Sequence, residues 1–225
     1  MEQKDVFRTG EGDSYFARNR AKLASAEARG ADDPVLEALR RLGVRPRTVL
    51  EIGCSNGWRL EALRRESGAS CHGIDPSPQA IAEGKAAYPL LRLAEGTADT
   101  LPFPDATFDL VVFGFCLYLC DRKDLFRIAS EADRVLGEAG HVAILDFHPP
   151  FPYRNPYAHR EGLYSYKMDY SLLFSWNPAY TLVSQSLFTP PGAGDPAEPD
   201  DRHAVSLLRK DSRHAYPEAP FSASA

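Results

Sequence analysis

The chain has 225 residues, of which 44% are hydrophobic and 25% are charged, and this composition suits one globular domain with a full core. Lys and Arg number 26 against 31 Asp and Glu, so the net charge of -5 provides no general basic field for nucleic acid or an anionic membrane. The longest apolar run, residues 110 to 120, is well short of the roughly 18 residues that span a bilayer, and the N-terminus lacks the apolar stretch of a secretory signal. We therefore expect a cytoplasmic protein that binds neither nucleic acid nor membrane.

The four cysteines, at positions 54, 71, 116 and 120, form no C-x-x-C pair of the kind found in structural zinc sites or redox motifs. We expect free thiols and no metal.

The first half of the chain predicts helices followed by a βαβ unit. Helical composition covers residues 13 to 29 and again 33 to 40, where Asp33 can cap the helix and Pro34 suits its first position. A β-branched strand over residues 48 to 52 leads into a glycine loop at 53 to 57 and then a helix. A second strand covers 71 to 75, and a fourth helix begins at Ser77.

The second half continues the alternation and then changes character. Strands are predicted over 91 to 95, 108 to 113 and 141 to 147, with a helix over 124 to 136 that Gly137 and Gly140 end. Two alternating strands, 180 to 188 and 204 to 210, flank a Pro- and Gly-rich loop at 190 to 196 and predict an antiparallel hairpin at the sheet edge; residues after 211 are expected to form a loose tail. The pattern predicts an α/β fold: a doubly wound, Rossmann-like, seven-stranded and mostly parallel sheet.

The glycine loop indicates which ligand the sheet could hold. Gly53 and Gly57 lie in the first strand-to-helix turn, where backbone can approach a ligand, but Ser55 replaces the second glycine of the G-x-G-x-x-G dinucleotide fingerprint. Glu51, directly before the loop, suits a ligand with an ammonium or sulfonium group, and Asp75, at the end of the second strand, can accept hydrogen bonds from ribose hydroxyls. We also expect Gly53→Val to block this ligand while leaving the fold largely intact.

Three stretches, residues 49 to 57, 73 to 77 and 95 to 109, resemble successive motifs of class I S-adenosylmethionine-dependent methyltransferases, most closely the type 11 subgroup. The resemblance covers about residues 46 to 147. It implies S-adenosyl-L-methionine as cofactor and assigns its parts to particular residues: the methionine moiety to Glu51, Gly53 and Gly57, the ribose to Asp75, the adenine to Thr97, Ala98 and Asp99, and the neighbourhood of the sulfonium to Phe115. The same loops would contribute Cys54, Ser55 and Pro76.

The sequence departs from the family pattern at two positions. Ser55 stands where the family usually has its middle glycine, and Thr97 stands where an acid often contacts the adenine amine, a contact that Asp99 could make instead.

The acceptor is expected to be a small molecule methylated on an O or N atom. Residues 113 to 116 read Phe-Gly-Phe-Cys, without the Asn-Pro-Pro-Tyr type of motif or the Pro-Cys loop of DNA methyltransferases. Within a single domain over 1 to 225, we expect a helical cap over 1 to 45, the cofactor core over 46 to 147, a substrate lid over 148 to 178 and the hairpin over 180 to 210.

The predicted lid is rich in aromatic residues with polar tips, a composition typical of substrate-binding segments, although it could instead cover an exposed sheet edge. His148 follows the fifth strand and is the candidate general base for a hydroxyl nucleophile, although it could equally be structural. The substrate-binding candidates are Tyr15, Tyr118, Tyr153, Tyr164, Tyr166, Asp169 and Tyr170.

Two other functions remain open at this point. The same sheet could serve a nicotinamide-dependent oxidoreductase, which the missing dinucleotide fingerprint disfavours, or a non-catalytic, cofactor-binding regulatory protein. A monomer and a homodimer are equally compatible with the sequence.

Overall fold

One seven-stranded sheet organises the protein, whose computed structural model describes residues 2–28, 32–189 and 198–217. The strand order is β3-β2-β1-β4-β5-β9-β8. The first five strands of this order run parallel, and β9 and β8 complete the sheet in antiparallel orientation. The predicted fold class is therefore confirmed. The strands are β1 Thr48–Ile52, β2 Ser70–Asp75, β3 Arg92–Glu95, β4 Phe108–Gly114, β5 Leu136–Phe147, β8 Tyr180–Phe188 and β9 His203–Lys210.

Helices cover both faces of the sheet. The buried residues of α3, α4 and α5 pack in one apolar cluster, and those of α6 and α7 pack in a second cluster on the opposite face. β1 and β4 have nearly continuous apolar sequences because both of their faces are buried. The helices are α1 Gln3–Val6, α2 Gly12–Ala28, α3 Pro34–Arg41, α4 Trp58–Ser67, α5 Pro78–Ala87, α6 Leu125–Val135 and α7 Leu172–Ser175.

Local signals placed most helix starts correctly. The Asp33 side chain accepts hydrogen bonds from the N–H groups of Val35 and Leu36, with Pro34 in the first turn of α3. The Ser77 hydroxyl accepts the N–H of Ala80 and so caps α5. These caps satisfy backbone donors that a helix start leaves without partners.

Two boundaries differ from the prediction. α1 and a π-helical turn, Phe7–Glu11, precede the predicted first helix. β5 begins at Leu136, directly after α6, rather than at residue 141. Leu136 is buried and pairs with Phe108, so strand pairing extends β5 through the two glycines that were expected to form a loop.

The segment from 148 to 178 adds a second, two-stranded sheet, β6 Tyr153–Pro156 and β7 Tyr164–Lys167, followed by α7. The hairpin loop predicted at 190 to 196 lies outside the described residues. The C-terminal segment is attached to the body, since Ser212 N–H donates to Glu138 and Ala215 packs against the core.

All four cysteines are free, as predicted. Among the residues that the structure describes, no helix is both long and apolar enough to cross a membrane.

Candidate active site

A cavity of about 460 Å3 opens beside the carboxyl ends of the parallel strands. The register of the sheet places it there, because β1 pairs with β2 on one side and with β4 on the other, so the loops after these three strands are neighbours. α1 and α2 form the opposite wall. Of the expected site residues, those that line this cavity are Tyr15, Glu51, Gly53, Cys54, Ser55, Asp75, Pro76, Thr97, Ala98, Asp99 and Phe115.

The glycine loop has a conformation that L-residues rarely adopt. Gly53 has φ 74°, and a Cβ added there would lie 2.6 Å from Cβ of Cys116. The expectation that Gly53→Val leaves the fold intact is therefore wrong, since a side chain would meet both a backbone penalty and a steric clash. Ser55 also has a positive φ, 53°, which explains why glycine suits this position better.

Gly57 does not line the cavity. It precedes α4 with φ 83°, and an added Cβ would approach the side chains of Leu91 and Leu93. Its role here is to turn the chain into α4, and the expected contact with the methionine moiety is not available to it.

Glu51 takes part in a buried ion network. Arg59 NH1 contacts Oε1 of Glu51, and Arg59 Nε lies 2.9 Å from Oδ2 of Asp33. Glu51 is only 1% exposed, and its second oxygen, Oε2, has no hydrogen-bond partner among the described residues. Burial raises the pKa of Glu51 to about 7, against the lowering effect of Arg59. Two carboxylates share one guanidinium, so the ionised network has a net negative charge beside the cavity.

Asp75 is fixed at the end of β2 by two backbone donors. Ser55 N–H donates to Oδ2 at 2.8 Å, and Ser77 N–H donates to Oδ1 at 2.9 Å. Burial raises its pKa to about 6, against these two hydrogen bonds. Each carboxylate oxygen retains acceptor capacity for a hydroxyl of a ligand.

Thr97, Ala98 and Asp99 form the wall beyond β3, where Lys4 joins them. Lys4 Nζ lies 2.7 Å from Oδ2 of Asp99 and 2.8 Å from Oδ2 of Asp124. Burial opposes ionisation of Asp99, but the hydrogen bonds from Lys4 and Thr97 lower its pKa overall. The carboxylate that was expected to receive the adenine amine is therefore already engaged by an ammonium.

Phe115 follows β4 with φ 61°, a strained conformation for an aromatic residue. Its ring contacts those of Tyr118 and His203, with centroids 5.2 Å and 4.9 Å away. Tyr118 does not itself line the cavity, but its hydroxyl lies 3.2 Å from that of Tyr15, which does. Burial raises the pKa of both tyrosines.

His148 lies outside the cavity, contrary to its expected place beside the reacting atoms. His148 follows Phe147, the last residue of β5, and is not among the residues that line the cavity. Its Nε2 lies 3.3 Å from Oδ2 of Asp169 without hydrogen-bond geometry, and both ring nitrogens are buried.

The polar side chains of the predicted lid also lie outside the cavity, and those of Tyr153, Tyr166 and Tyr170 bind the segment to its surroundings. Tyr153 donates to Asp200, Tyr170 donates to the carbonyl of Tyr166, and Arg122 stacks over the Tyr166 ring. Tyr164 N–H donates to Gln3, which binds the segment to α1. Asp169 accepts hydrogen bonds from Ser171. These residues hold the segment in place and do not line the cavity.

Sequence reasoning did not identify Lys4, Arg59 and His203, which are among the residues that line it. Arg59 is the second residue of α4 and is buried. His203 begins β9, and because β9 runs antiparallel to β5 its first residue lies at the carboxyl edge of the sheet. The position of His203 could have been predicted from the sequence if the pairing of β9 with β5 had been known.

Known proteins with similar sequences are methyltransferases. The sequence model of the family described as "Methyltransferase domain", the type 11 model, matches residues 50–144. An uncharacterized methyltransferase of Synechocystis sp. is 32% identical over 131 residues, which are 58% of this chain and 61% of that protein. A demethylmenaquinone methyltransferase of Chlorobaculum parvum is 28% identical over 144 residues, or 64% of this chain and 52% of that protein. The chain thus matches little more than half the length of these curated relatives.

A solved structure shares the fold. The Burkholderia thailandensis 1,6-didemethyltoxoflavin-N1-methyltransferase, with bound 1,6-didemethyltoxoflavin and S-adenosylhomocysteine, superposes with a TM-score of 0.64 at 20% identity, covering 88% of this chain and 90% of that one. The fold and the cavity thus define a Rossmann-like methyltransferase architecture. Residues 50–144 match a methyltransferase domain of the class I S-adenosylmethionine-dependent family, and S-adenosylmethionine is the cofactor of that family.

The residues present fit that cofactor. The unpartnered Oε2 of Glu51 offers a buried carboxylate oxygen for a cationic group, and Asp75 offers acceptors for a ribose diol. The cavity volume lies within the usual range of small-molecule sites.

Proposed function

We propose that the protein transfers a methyl group from S-adenosylmethionine to an oxygen or nitrogen atom of a small-molecule acceptor. The observation that carries this proposal is the unpartnered oxygen of Glu51, in one continuous cavity with Asp75 and the aromatic side chain of Phe115. A buried carboxylate oxygen without a partner is costly unless a ligand supplies one.

When bound, the cofactor supplies a methyl group that positive sulfur has already activated, so the protein needs to align the acceptor and exclude water. Glu51 holds the ammonium through Oε2, while Arg59 fixes the other oxygen and so orients the carboxylate. Asp75 holds the ribose and is itself held by the backbone of Ser55 and Ser77. Thr97 and Ala98 flank the adenine.

Tyr15 is placed to exclude water above the glycine loop and to present its hydroxyl to the acceptor. Its hydrogen bond with Tyr118 sets the direction of that hydroxyl. Since burial raises the pKa of both phenols, they act as neutral hydrogen-bonding groups near neutral pH.

Three observations support a small acceptor. Residues of α2 line one wall of the cavity, the sequence has a net charge of -5, and the lid contacts α1 and β8. The names of the Chlorobaculum and Burkholderia proteins also specify small-molecule acceptors. A neutral amine acceptor needs no general base. A hydroxyl acceptor would need a general base other than His148, because His148 does not line the cavity.

Two measurements test the proposal. Calorimetric titration should show binding of S-adenosylhomocysteine and no comparable binding of NAD; binding of NAD alone would contradict the cofactor assignment. Transfer of label from methyl-labelled S-adenosylmethionine should then appear in a panel of phenols, amines and carboxylic acids. Cofactor binding without turnover on any small molecule would favour the non-catalytic alternative.

A further inference from the structure

The end of the cavity away from Asp75 has a composition of its own. We call the part formed by Phe115, Phe188 and His203 the aromatic arm. The His203 ring centroid lies 4.9 Å from that of Phe115 and 5.8 Å from that of Phe188, with interplanar angles of 73° and 74°. Phe147 closes the back of the arm, with its centroid 4.8 Å from that of His203. The imidazole thus lies among three phenyl rings at the cavity wall.

The aromatic arm has no ionic side chain among its described lining residues. The lining from the ends of β4, β5, β8 and β9 consists of Gly114, Phe115, Cys116, Leu145, Phe188 and His203. The charged lining residues come from the other elements: the N-terminal helices, the loop before α3, β1, α4 and the loops after β2, β3 and β4. An anionic or cationic acceptor would therefore lose hydration in the arm without gaining a counterion.

Lys167, behind the arm, is already partnered. Its Nζ lies 2.6 Å from Asp200 and 4.0 Å from the centroid of the Phe147 ring. Lys167 therefore does not offer its charge to a ligand.

Within the described residues, the His203 imidazole makes no hydrogen bond to the protein. Burial and, to a smaller extent, the charge of Lys167 lower its pKa to about 4, against the raising effect of Asp201, so the ring is neutral near pH 7. A neutral imidazole has one donor and one acceptor nitrogen. His203 is partly buried and lines the cavity, so its acceptor nitrogen is available to a ligand that brings a donor.

We propose that the aromatic arm binds the acceptor as an uncharged, planar ring compound, whose methylated O–H or N–H group donates a hydrogen bond to the imidazole of His203. This inference rests on the proposed function and specifies its substrate class. Flat rings match the phenyl faces and edges of Phe115 and Phe188, and the neutral arm favours an uncharged acceptor.

The transfer step balances without a further reagent. The lone pair of the acceptor O or N forms the bond to the methyl carbon, and the bond from that carbon to sulfur breaks with its electron pair on sulfur. The proton of the acceptor O–H or N–H group moves along its hydrogen bond to the acceptor nitrogen of His203, and the imidazole then releases it to water.

The test uses three bicyclic probes with the whole chain saturated with S-adenosylhomocysteine. 2-Naphthol is planar and neutral, 2-naphthoate is planar and anionic, and decahydro-2-naphthol keeps the hydroxyl on a saturated frame. We expect 2-naphthol to bind at least tenfold more tightly than either of the others. Equal or tighter binding of 2-naphthoate or the saturated alcohol overturns the proposal, and so does failure of 2-naphthol to bind at millimolar concentration.

Variants locate the binding. His203→Phe keeps a ring but removes the acceptor nitrogen, and should weaken 2-naphthol at least tenfold; His203→Gln, which retains an acceptor, should recover part of the loss. Phe126→Leu, at a position 77% exposed on α6, is the control and should change nothing. Unchanged naphthol affinity in His203→Phe overturns the inference.

Two further measurements separate a role of His203 in binding from a role in folding. In wild type, 2-naphthol should shift the ring 15N resonances assigned to His203, which a structural histidine would not show. S-adenosylhomocysteine affinity should stay within twofold in every variant. Loss of cofactor binding in the wild type would refute the proposed function itself, whereas intact cofactor binding with no preference for 2-naphthol refutes only this inference.

Discussion

Arg59 pairs with one oxygen of Glu51 and leaves the other without a partner. The guanidinium also binds Asp33, the cap of α3, so one arginine connects the first strand of the sheet to the N-terminal helices. Because all three side chains are buried, water cannot substitute for a lost partner. This network determines both the charge that Glu51 offers to the cavity and the attachment of α3.

Removal of Arg59 should destabilise the protein strongly. Arg59→Met leaves two buried carboxylates without a counterion, and we expect a loss of about 3–5 kcal/mol in the free energy of unfolding. Urea denaturation measures it. Arg65→Met is the matched control on the same helix: Arg65 is 71% exposed and its partner Glu61 keeps an ion pair with Arg64, so its change should be about 0.5 kcal/mol or less. Similar losses in both variants would refute the role assigned to the buried network.

Asp75 should control cofactor affinity. Asp75→Ala removes the acceptors proposed for the ribose, and S-adenosylhomocysteine binding should weaken by roughly 1–3 kcal/mol. Asp13→Ala serves as the control, because Asp13 accepts hydrogen bonds from Ser77 and Gln79 at the start of α5 but does not line the cavity. Calorimetry on both variants separates ribose recognition from damage to the loop. Equal affinity in Asp75→Ala and wild type would place the ribose elsewhere.

Cofactor binding should strengthen as pH rises from 5 to 8. Burial raises the pKa of Asp75 to about 6 and that of Glu51 to about 7, and both groups bind the cofactor best when ionised. S-adenosylhomocysteine affinity should fall by up to about tenfold per pH unit below each pKa. Calorimetry at a series of pH values measures the profile, and Glu51→Gln should remove the part near pH 7.

The contribution of the same groups to folding has the opposite sign. An acid whose pKa is raised in the folded state favours folding at low pH, and this contribution decreases as pH rises from the unfolded pKa, 3.8 for Asp75 and 4.5 for Glu51, through the raised values. Relative to Glu51→Gln, the ligand-free wild type should therefore lose stability between about pH 4.5 and 7. A wild type that gains stability over this interval relative to the variant would contradict the burial of an ionisable Glu51.

Ser55→Gly should relieve backbone strain. Ser55 has φ 53°, and glycine adopts this conformation without the Cβ penalty, so we expect a gain of at most about 1 kcal/mol in the free energy of unfolding. Ala106→Gly, at φ 49° in a turn outside the cavity, should give a similar gain and serves as the reference. Thermal unfolding compares the two. A loss of stability in Ser55→Gly alone would mean that the serine side chain contributes more than its backbone costs.

The sequence by itself determined the order of elements and the cofactor loops. Strand and helix periods, the caps at Asp33 and Ser77, and the positions of Glu51 and Asp75 at strand ends are local patterns, so they could be predicted without knowledge of distant contacts. The start of β5 was harder to predict, because the pairing of Leu136 with Phe108 joins residues far apart in sequence.

Only the tertiary structure decided which side chains meet. His148 follows the last residue of β5 and does not line the cavity, while the antiparallel pairing of Phe147 with His203 brings a different histidine to its wall. Arg59 pairs with Glu51 and so neutralises part of the negative charge that the sequence predicts at this position. The partner of a side chain depends on strand register and on packing between distant segments, and local sequence contains neither.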